Sequence, residues 1–192
     1  QPITEQVSRF AMRHAMGAIR ERTSVPAVLE DDTAEGEAAR RSVGEAAYAL
    51  HVQQFACAGL NYGYFYDDSP IIAHDGEPAP AYSMHQYTPS TVPGCRTPHF
   101  WLRDGRSLLD AVGPWFTLLR FDTRVDVAAL QRAAREAGVP LQLLDVQADA
   151  IPAACQHRLV LDRPDHHVAW RGNDLPADPA RLIDLVRGAL AG

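Results

Sequence analysis

The segment Tyr87–Asp122, YTPSTVPGCRTPHFWLRDGRSLLDAVGPWFTLLRFD, separates two different kinds of sequence. Pro89, Pro93 and Pro98 remove backbone donors from its first third, which interrupts regular pairing. A short apolar run, His99–Leu102, leads into a charged turn centred on Asp104-Gly105. Ser107 is placed to cap a brief helix, Leu108–Val112, which Gly113-Pro114 then stops. Trp115–Phe121 follows as a buried strand. Sequence before this segment reads as helices and extended arms; sequence after it reads as a compact α/β unit.

Beyond Phe121 the order of elements is clear. Asp126 is placed to cap a helix with Val127, Leu130, Ala134 and Ala137 on one face, and Gly138 ends it. Leu141–Val146 is the next strand, followed by a loop through Ile151-Pro152. Two strands, His157–Leu161 and His167–Arg171, are joined by the tight Arg163-Pro164-Asp165 link of a hairpin. Asp178-Pro179 supplies a cap and a proline at the first helical position for a helix to about Leu190. A β-α-β-β-β-α order joins a parallel crossover unit to a hairpin unit, which is the core of a thioredoxin-like α/β fold.

Upstream, Ile3, Val7, Phe10, His14 or Ala15, and Ile19 recur at steps of three and four, so Pro2 to about Arg22 is a helix. Met12 and Met16 widen its stripe and read as core. Thr23-Ser24-Val25-Pro26 breaks it. A second helix spans about Thr33–Ala58, with Ala39, Val43, Ala46, Leu50 and Ala58 on one stripe and Gly59 as the residue that ends it. Tyr62, Tyr64 and Tyr66 alternate as in a strand, a turn at Asp67-Asp68-Ser69-Pro70 follows, and Ile71–Ala73 continues as a short strand. His74–Pro98, with its five prolines, reads as an extended surface connector of polyproline character. The expected division is a helical segment at 1–60, an aromatic strand and Pro-rich connector at 61–98, and the thioredoxin-like domain at 99–192.

Composition narrows the classes of function. A chain of 192 residues that is 46% hydrophobic can bury one good core with an appendage. Its net charge of −6 argues against a nucleic-acid partner. All 18 basic residues are Arg, scattered along the chain and read as solvated surface. No run of 18 apolar residues occurs, so no membrane span is expected, and no signal peptide is evident. Cys57, Cys95 and Cys155 are far apart, with neither a C-x-x-C pair nor metal-ligand spacing, which suits reduced thiols in the cytoplasm. The chain opens at Gln1 without Met inside an amphipathic pattern, and reads as a piece of something longer.

Searches for chemistry return structural readings. No G-x-G-x-x-G opens a helix after a strand, and neither a P-loop nor a G-x-S-x-G is present. His166 and His167 are neighbours on an expected strand, point to opposite faces and cannot chelate one ion together. His74-Asp75 and His85 are loop residues, and Asp67 and Asp68 are turn residues. Arg171 is expected to finish a strand or to pair with a nearby acid. No catalytic, cofactor-binding or metal-binding residue is assigned.

The pattern PG-x-R-x-PH-x-WL-x-DGRSLLD-x-x-G-x-x-FTLLR resembles the C-terminal part of FAD-dependent aromatic-ring hydroxylases, the single-component flavoprotein monooxygenases that act on phenols, hydroxyphenylpropionates, resorcinols and aromatic polyketides. Pro93, Gly94, Arg96, Pro98, His99, Leu102, Gly105, Ser107, Leu108, Asp110, Gly113, Phe116, Thr117, Leu118 and Leu119 carry the match. GLNYGYFYDDSPII (Gly59–Ile72) and LDRPDHHVAWRG (Leu161–Gly172) extend it. The resemblance implies a parent enzyme in which NAD(P)H reduces FAD and an oxygen atom is delivered to an activated phenolic ring. It also implies that the flavin-binding motifs lie upstream of Gln1, that this portion is structural and inactive alone, and that its partner is the flavin and substrate domain. Contacts between copies are a further implied role, and Tyr62, Tyr64 and Tyr66 are the residues expected to be buried against the partner. Two alternatives remain at this stage: a stand-alone thioredoxin-like interaction module without catalysis, and a thiol oxidoreductase, which the missing dithiol disfavours.

Overall fold

The computed structural model describes residues 2–190, with the side chains of Pro2 and Ile3 left aside, so Ile3's place in the expected stripe falls outside the described residues. The chain forms two compact units, Gln1–Asn61 with Ser83–Tyr87, and Tyr62–Tyr82 with Thr88–Gly192.

The first unit is helical. Helix α1 (Pro2–Thr23) carries Glu5 in its first turn and Arg20 and Arg22 in its last, complementing the helix dipole at both ends. A 3-10 turn at Ala27–Glu30 leads to α2 (Ala34–Phe55), where Thr33 Oγ1 accepts a hydrogen bond from Gly36 N at 3.0 Å. The half-buried side of α1 is Val7, Phe10, His14 and Gly17, with Leu50 lying against Gly17. His51 meets Glu21 at 3.1 Å. Met12 and Met16, expected in the core, and Ile19, expected on the packed stripe, are instead exposed at 71%, 54% and 58%. One partner helix covers only the narrow line at 7, 10, 14 and 17, and the flanking positions stay bare. Helix α2 ends at Phe55, short of the expected Ala58, and α3 (Ala58–Tyr62) follows. Gly59 does not terminate a helix. It sits inside α3, where a Cβ would meet the carbonyl oxygens of Ser83 at 1.7 Å and Gln86 at 2.4 Å.

The second unit is built on a mixed four-stranded sheet in the order β2-β1-β3-β4. Its members are β1 (Phe116–Arg120), β2 (Leu141–Asp145), β3 (Leu159–Asp162) and β4 (Val168–Gly172). β1 runs parallel to β2, with Leu118 opposite Leu143, and antiparallel to β3, with Leu118 opposite Leu161. β3 and β4 are antiparallel, with an irregularity at Leu161/Asp162. Ser107 caps α4 (Leu108–Ala111) as expected, its Oγ accepting from Leu109 N. Asp126 Oδ1 accepts from Ala128 N at the start of α5 (Ala128–Glu136), and Asp178 caps α6 (Pro179–Val186), which stops short of Leu190.

Strand alternation sends side chains into two cores. On one face Leu118, Leu159 and Leu161 pack with Leu130 and Ala134 of α5 and Leu182, Ile183 and Val186 of α6. On the other, Leu119, Val160 and Val168 pack with Phe100, Leu102, Leu108 and Ala111. The sheet is thus apolar on both faces, which is why its strands read as continuous apolar runs.

The Pro-rich connector departs from its expected course over the surface. Residues 90–95 are buried, and the segment pairs with the outer edge of β4. Gly94 N donates to Val168 O at 2.7 Å, Val168 N to Cys95 O at 2.9 Å, Thr97 N to His166 O at 2.9 Å and Ala73 N to Ala169 O at 2.8 Å. Ala73 makes that one bond outside any strand and just after a turn at Pro70-Ile71, so Ile71–Ala73 is not a strand. Tyr62–Tyr66 is not a strand either: Tyr62 ends α3 and the rest is extended but unpaired apart from Tyr66 N to Gly94 O. Arg171, on β4, pairs with acids as expected; its Nε donates to Asp75 Oδ2 at 2.7 Å, and its Nη2 to Glu77 Oε2.

Two variants test this edge closure. Gly94 has φ +99°, and a Cβ there would lie 2.1 Å from Tyr66 O, so Gly94→Ala should cost about 2–3 kcal/mol in urea unfolding. Arg171→Met leaves Asp75 and Glu77 partly solvated, so its cost should be nearer 1–2 kcal/mol than that of a fully buried pair. Burial works against ionised Asp75, but the bond and charge of Arg171, together with backbone bonds from Glu77 and its own amide, outweigh it and lower the carboxyl from 3.8. The stability it contributes is present above that value and lost as pH falls, so the gap between wild type and variant should narrow in acid.

Candidate functional site

A cluster of polar side chains in the second unit surrounds the β3–β4 turn, Arg163–His167, and the connector residues that lie on it. Asp162, the last residue of β3, is 1% exposed. It accepts a hydrogen bond from Thr97 Oγ1, and its other oxygen lies 3.8 Å from His166 Nδ1. At that distance the second contact is an ion pair and not a hydrogen bond; His166 Nδ1 is buried without a hydrogen-bond partner. Burial pushes the Asp162 carboxyl above the usual range, and Asp162 in turn raises the His166 imidazole against its own partial burial.

Asp165 is the second focus. Arg163 Nε donates to its Oδ1 at 3.1 Å, Tyr66 Oη donates to its Oδ2 at 3.3 Å, and His167 Nδ1 lies 3.6 Å from Oδ1. Burial opposes its ionised form, but the nearby His167 ring and the bonds from Arg163 hold the carboxyl well below the usual range. His167 is fully buried. Its Nδ1 donates to the Asp165 carbonyl at 2.9 Å, its Nε2 has no hydrogen-bond partner, and its ring packs on Tyr64 and Tyr66 at 5.1 and 4.9 Å. Arg96 lies 5.8 Å over Tyr62, and Arg163 lies 5.7 Å over Tyr66. Tyr64 and Tyr66 therefore already contact this chain's own hairpin and Tyr62 lies under Arg96 of the connector, although Tyr62 and Tyr66 keep 50% and 38% exposure.

Of the histidines read from the sequence, His166 and His167 both lie in the turn before β4, not on it, and His166 takes a left-handed φ of 61°. Their rings separate, one toward Asp162 and one onto the tyrosines. His74, Asp67 and Asp68 are exposed and outside the cluster, and His85 contacts Ala56 O in the helical unit. Among the described residues no three His, Cys, Asp or Glu are placed to hold a metal ion. A further pair was not foreseen: His99 Nε2 lies 2.9 Å from Ser107 Oγ. That oxygen is engaged by Leu109 N as a helix cap, so the imidazole buttresses the DGRS turn.

The geometry does not suit a dinucleotide. The β1–α5 turn, where a pyrophosphate would seek a helix N-terminus, contains no glycine and presents Asp122 and Asp126. Hydrogen bonds from Arg124 hold Asp122 down to about 2, so it is ionised near neutrality and would repel phosphate. Nor do Cys95 and Cys155 suit exchange chemistry. Burial pushes Cys155 up to about 11 and raises Cys95, which leaves little thiolate. The cluster fastens backbone segments together.

The family model described as "Aromatic-ring hydroxylase, C-terminal" matches residues 90–190. FAD-dependent monooxygenase opdD of Penicillium oxalicum is 29% identical over 195 residues, covering 96% of this chain and 37% of that protein. Phenol 2-monooxygenase of Pseudomonas sp. is 31% identical, covering 84% of this chain and 30% of that protein. The solved structure of the rebeccamycin biosynthetic enzyme RebC with reduced flavin aligns at TM-score 0.80 and 35% identity, covering 98% of this chain and 35% of that one. The chain spans about a third of the length of these relatives. No helix among the described residues is long and apolar enough to cross a membrane. With its matched core running from the buried connector through α6, the chain belongs to the FAD-dependent aromatic-ring hydroxylase family and corresponds to its C-terminal part.

Proposed function

We propose that the chain is the C-terminal structural portion of an FAD- and NAD(P)H-dependent monooxygenase that hydroxylates a phenolic aromatic compound in the cytoplasm. The observation that carries this reading is the match of residues 90–190 to the C-terminal part of the family, in a chain that covers only about a third of its flavoenzyme relatives. The acidic, glycine-free β1–α5 turn supports placing FAD and NAD(P)H on a region outside these residues. Reduced, unpaired cysteines at 57, 95 and 155 fit the cytoplasm.

We read the second unit as thioredoxin-like. Its β2-β1-β3-β4 order, with β3 antiparallel to both neighbours, supports that assignment. The helical unit is the surface offered to the flavin and substrate region. Met12, Met16 and Ile19 form one exposed stripe on α1, and Tyr48 and Phe55 another on α2, at 72% and 79% exposure. Stripes of this kind are unfavourable in water and are covered in a larger assembly. Contacts between copies of the complete enzyme are a second use of the same chain.

The purified chain, mixed with FAD and NADPH and passed through a desalting column, should keep no yellow flavin and oxidise no NADPH. The coding frame upstream of Gln1 should contain a G-x-G-x-x-G fingerprint in a strand-turn-helix context. Stoichiometric flavin on the isolated chain, or an upstream frame without a dinucleotide site, would remove the reading.

A further inference from the structure

We propose that Asp162, His166 and Thr97 form a pH-sensitive clasp that holds the connector on the edge of β4 and lets it loosen as the solution becomes alkaline. The geometry is specific to this corner. Asp162 is almost wholly buried, and the groups facing it are the Thr97 hydroxyl, from the connector, and the His166 imidazole, from the turn. Arg96 and Asp165 are the other charged groups acting on His166, with opposite signs, and Asp165 also acts on Asp162. Asp165 is itself occupied by Arg163, Tyr66 and His167. His166 is held in the left-handed region, a conformation that costs a branched or bulky side chain and that His and Asn tolerate. The same residue that pairs with Asp162 also accepts the Thr97 amide through its carbonyl at 2.9 Å, so side chain and backbone fasten one connector residue from two sides.

Proton balance gives the direction. Asp162 and His166 both have raised affinities for protons in the folded chain, so folding takes protons up at this pair. The stability that His166 contributes is complete below 6.5, its ordinary value, and is lost as pH rises through its raised folded value. Once His166 has given up its proton, Asp162 remains as a buried carboxylate whose hydrogen-bond donor is one neutral hydroxyl. A buried charge left without a counter-ion is costly, and the nearest relief is water entering between the connector and the turn. Thr97 and its neighbour Arg96 then lose their hold on His166 and His167, with which they make the Thr97 amide bond and an isolated β-bridge.

Trypsin provides a local readout, because Arg96 lies in the clasped segment and Arg22 lies on an exposed helix end. The ratio of cleavage after Arg96 to cleavage after Arg22, followed by mass spectrometry, cancels the protease's own pH profile. In the wild-type chain this ratio should climb, by up to about tenfold per pH unit, between 6.5 and the raised folded value of His166, and level off above it. Asp162→Asn keeps an acceptor for Thr97 and removes the charge, so its ratio should be flat with pH. His166→Asn tolerates the left-handed backbone but leaves Asp162 uncompensated; its ratio should already be high at neutral pH. A flat wild-type ratio, or an equal rise in Asp162→Asn, would overturn the clasp. If either variant fails to fold, an NMR titration of His166 in the wild-type chain decides: a value at or below that of free imidazole overturns it equally.

Discussion

Pairing between the connector and β4 is the constraint on which the second unit depends. β4 ends the sheet, and an unpaired edge leaves backbone donors and acceptors open to water and to other chains. Residues 94–97 fill that edge with a short, irregular ladder, and Ala73 adds one bond further along. The prolines do not prevent this, because Pro93 and Pro98 flank the paired residues and are not asked to donate. Once the ladder is in place, the polar side chains of the corner have fixed partners. Thr97 reaches Asp162, Arg171 reaches Asp75 and Glu77, and Tyr66 reaches Asp165 across the loop.

Much of the second unit was legible because its signals are local. Leu118 and Leu119 are adjacent and wholly buried, on opposite faces, which is what a continuous apolar run implies for a doubly covered strand. Ser107 and Asp178 cap their helices where the sequence places them, whereas the cap position of α5 is Val127 and Asp126 accepts from Ala128 N from one residue earlier. The corner at the β3–β4 turn was not legible. Asp162 and Thr97 are 65 residues apart, and nothing in either neighbourhood marks one as the partner of the other. Tyr62, Tyr64 and Tyr66 alternate without forming a strand, because rings that rest on His167 and below Arg96 give the same spacing as rings on a sheet face. Gly59 fits a helix terminator by type, yet its lack of a side chain is used for close approach to Ser83 and Gln86.

The same physical features bear on function. A chemistry that needs a pyrophosphate cradle finds two carboxylates at the N-terminus of α5, the helix that follows β1, which supports the proposal that the family's flavin reaction lies outside these residues. What this chain contributes is a two-faced sheet with a closed edge, and a pair of helices with apolar stripes still to be covered. Both fit the supporting role proposed for this chain. The raised protonation of Asp162 and His166 belongs to the same picture, as the electrostatic side of an edge held by a few polar groups.

Backbone amide hydrogen exchange at neutral pH tests the edge closure most directly. The amides of Gly94, Thr97 and Val168 should be protected to within about tenfold of the central amide of Leu118, as members of one cooperative unit. Exchange at those three positions as fast as at the exposed loop residue Gly76 would mean that the connector lies loosely on the sheet, and that β4 is an open edge.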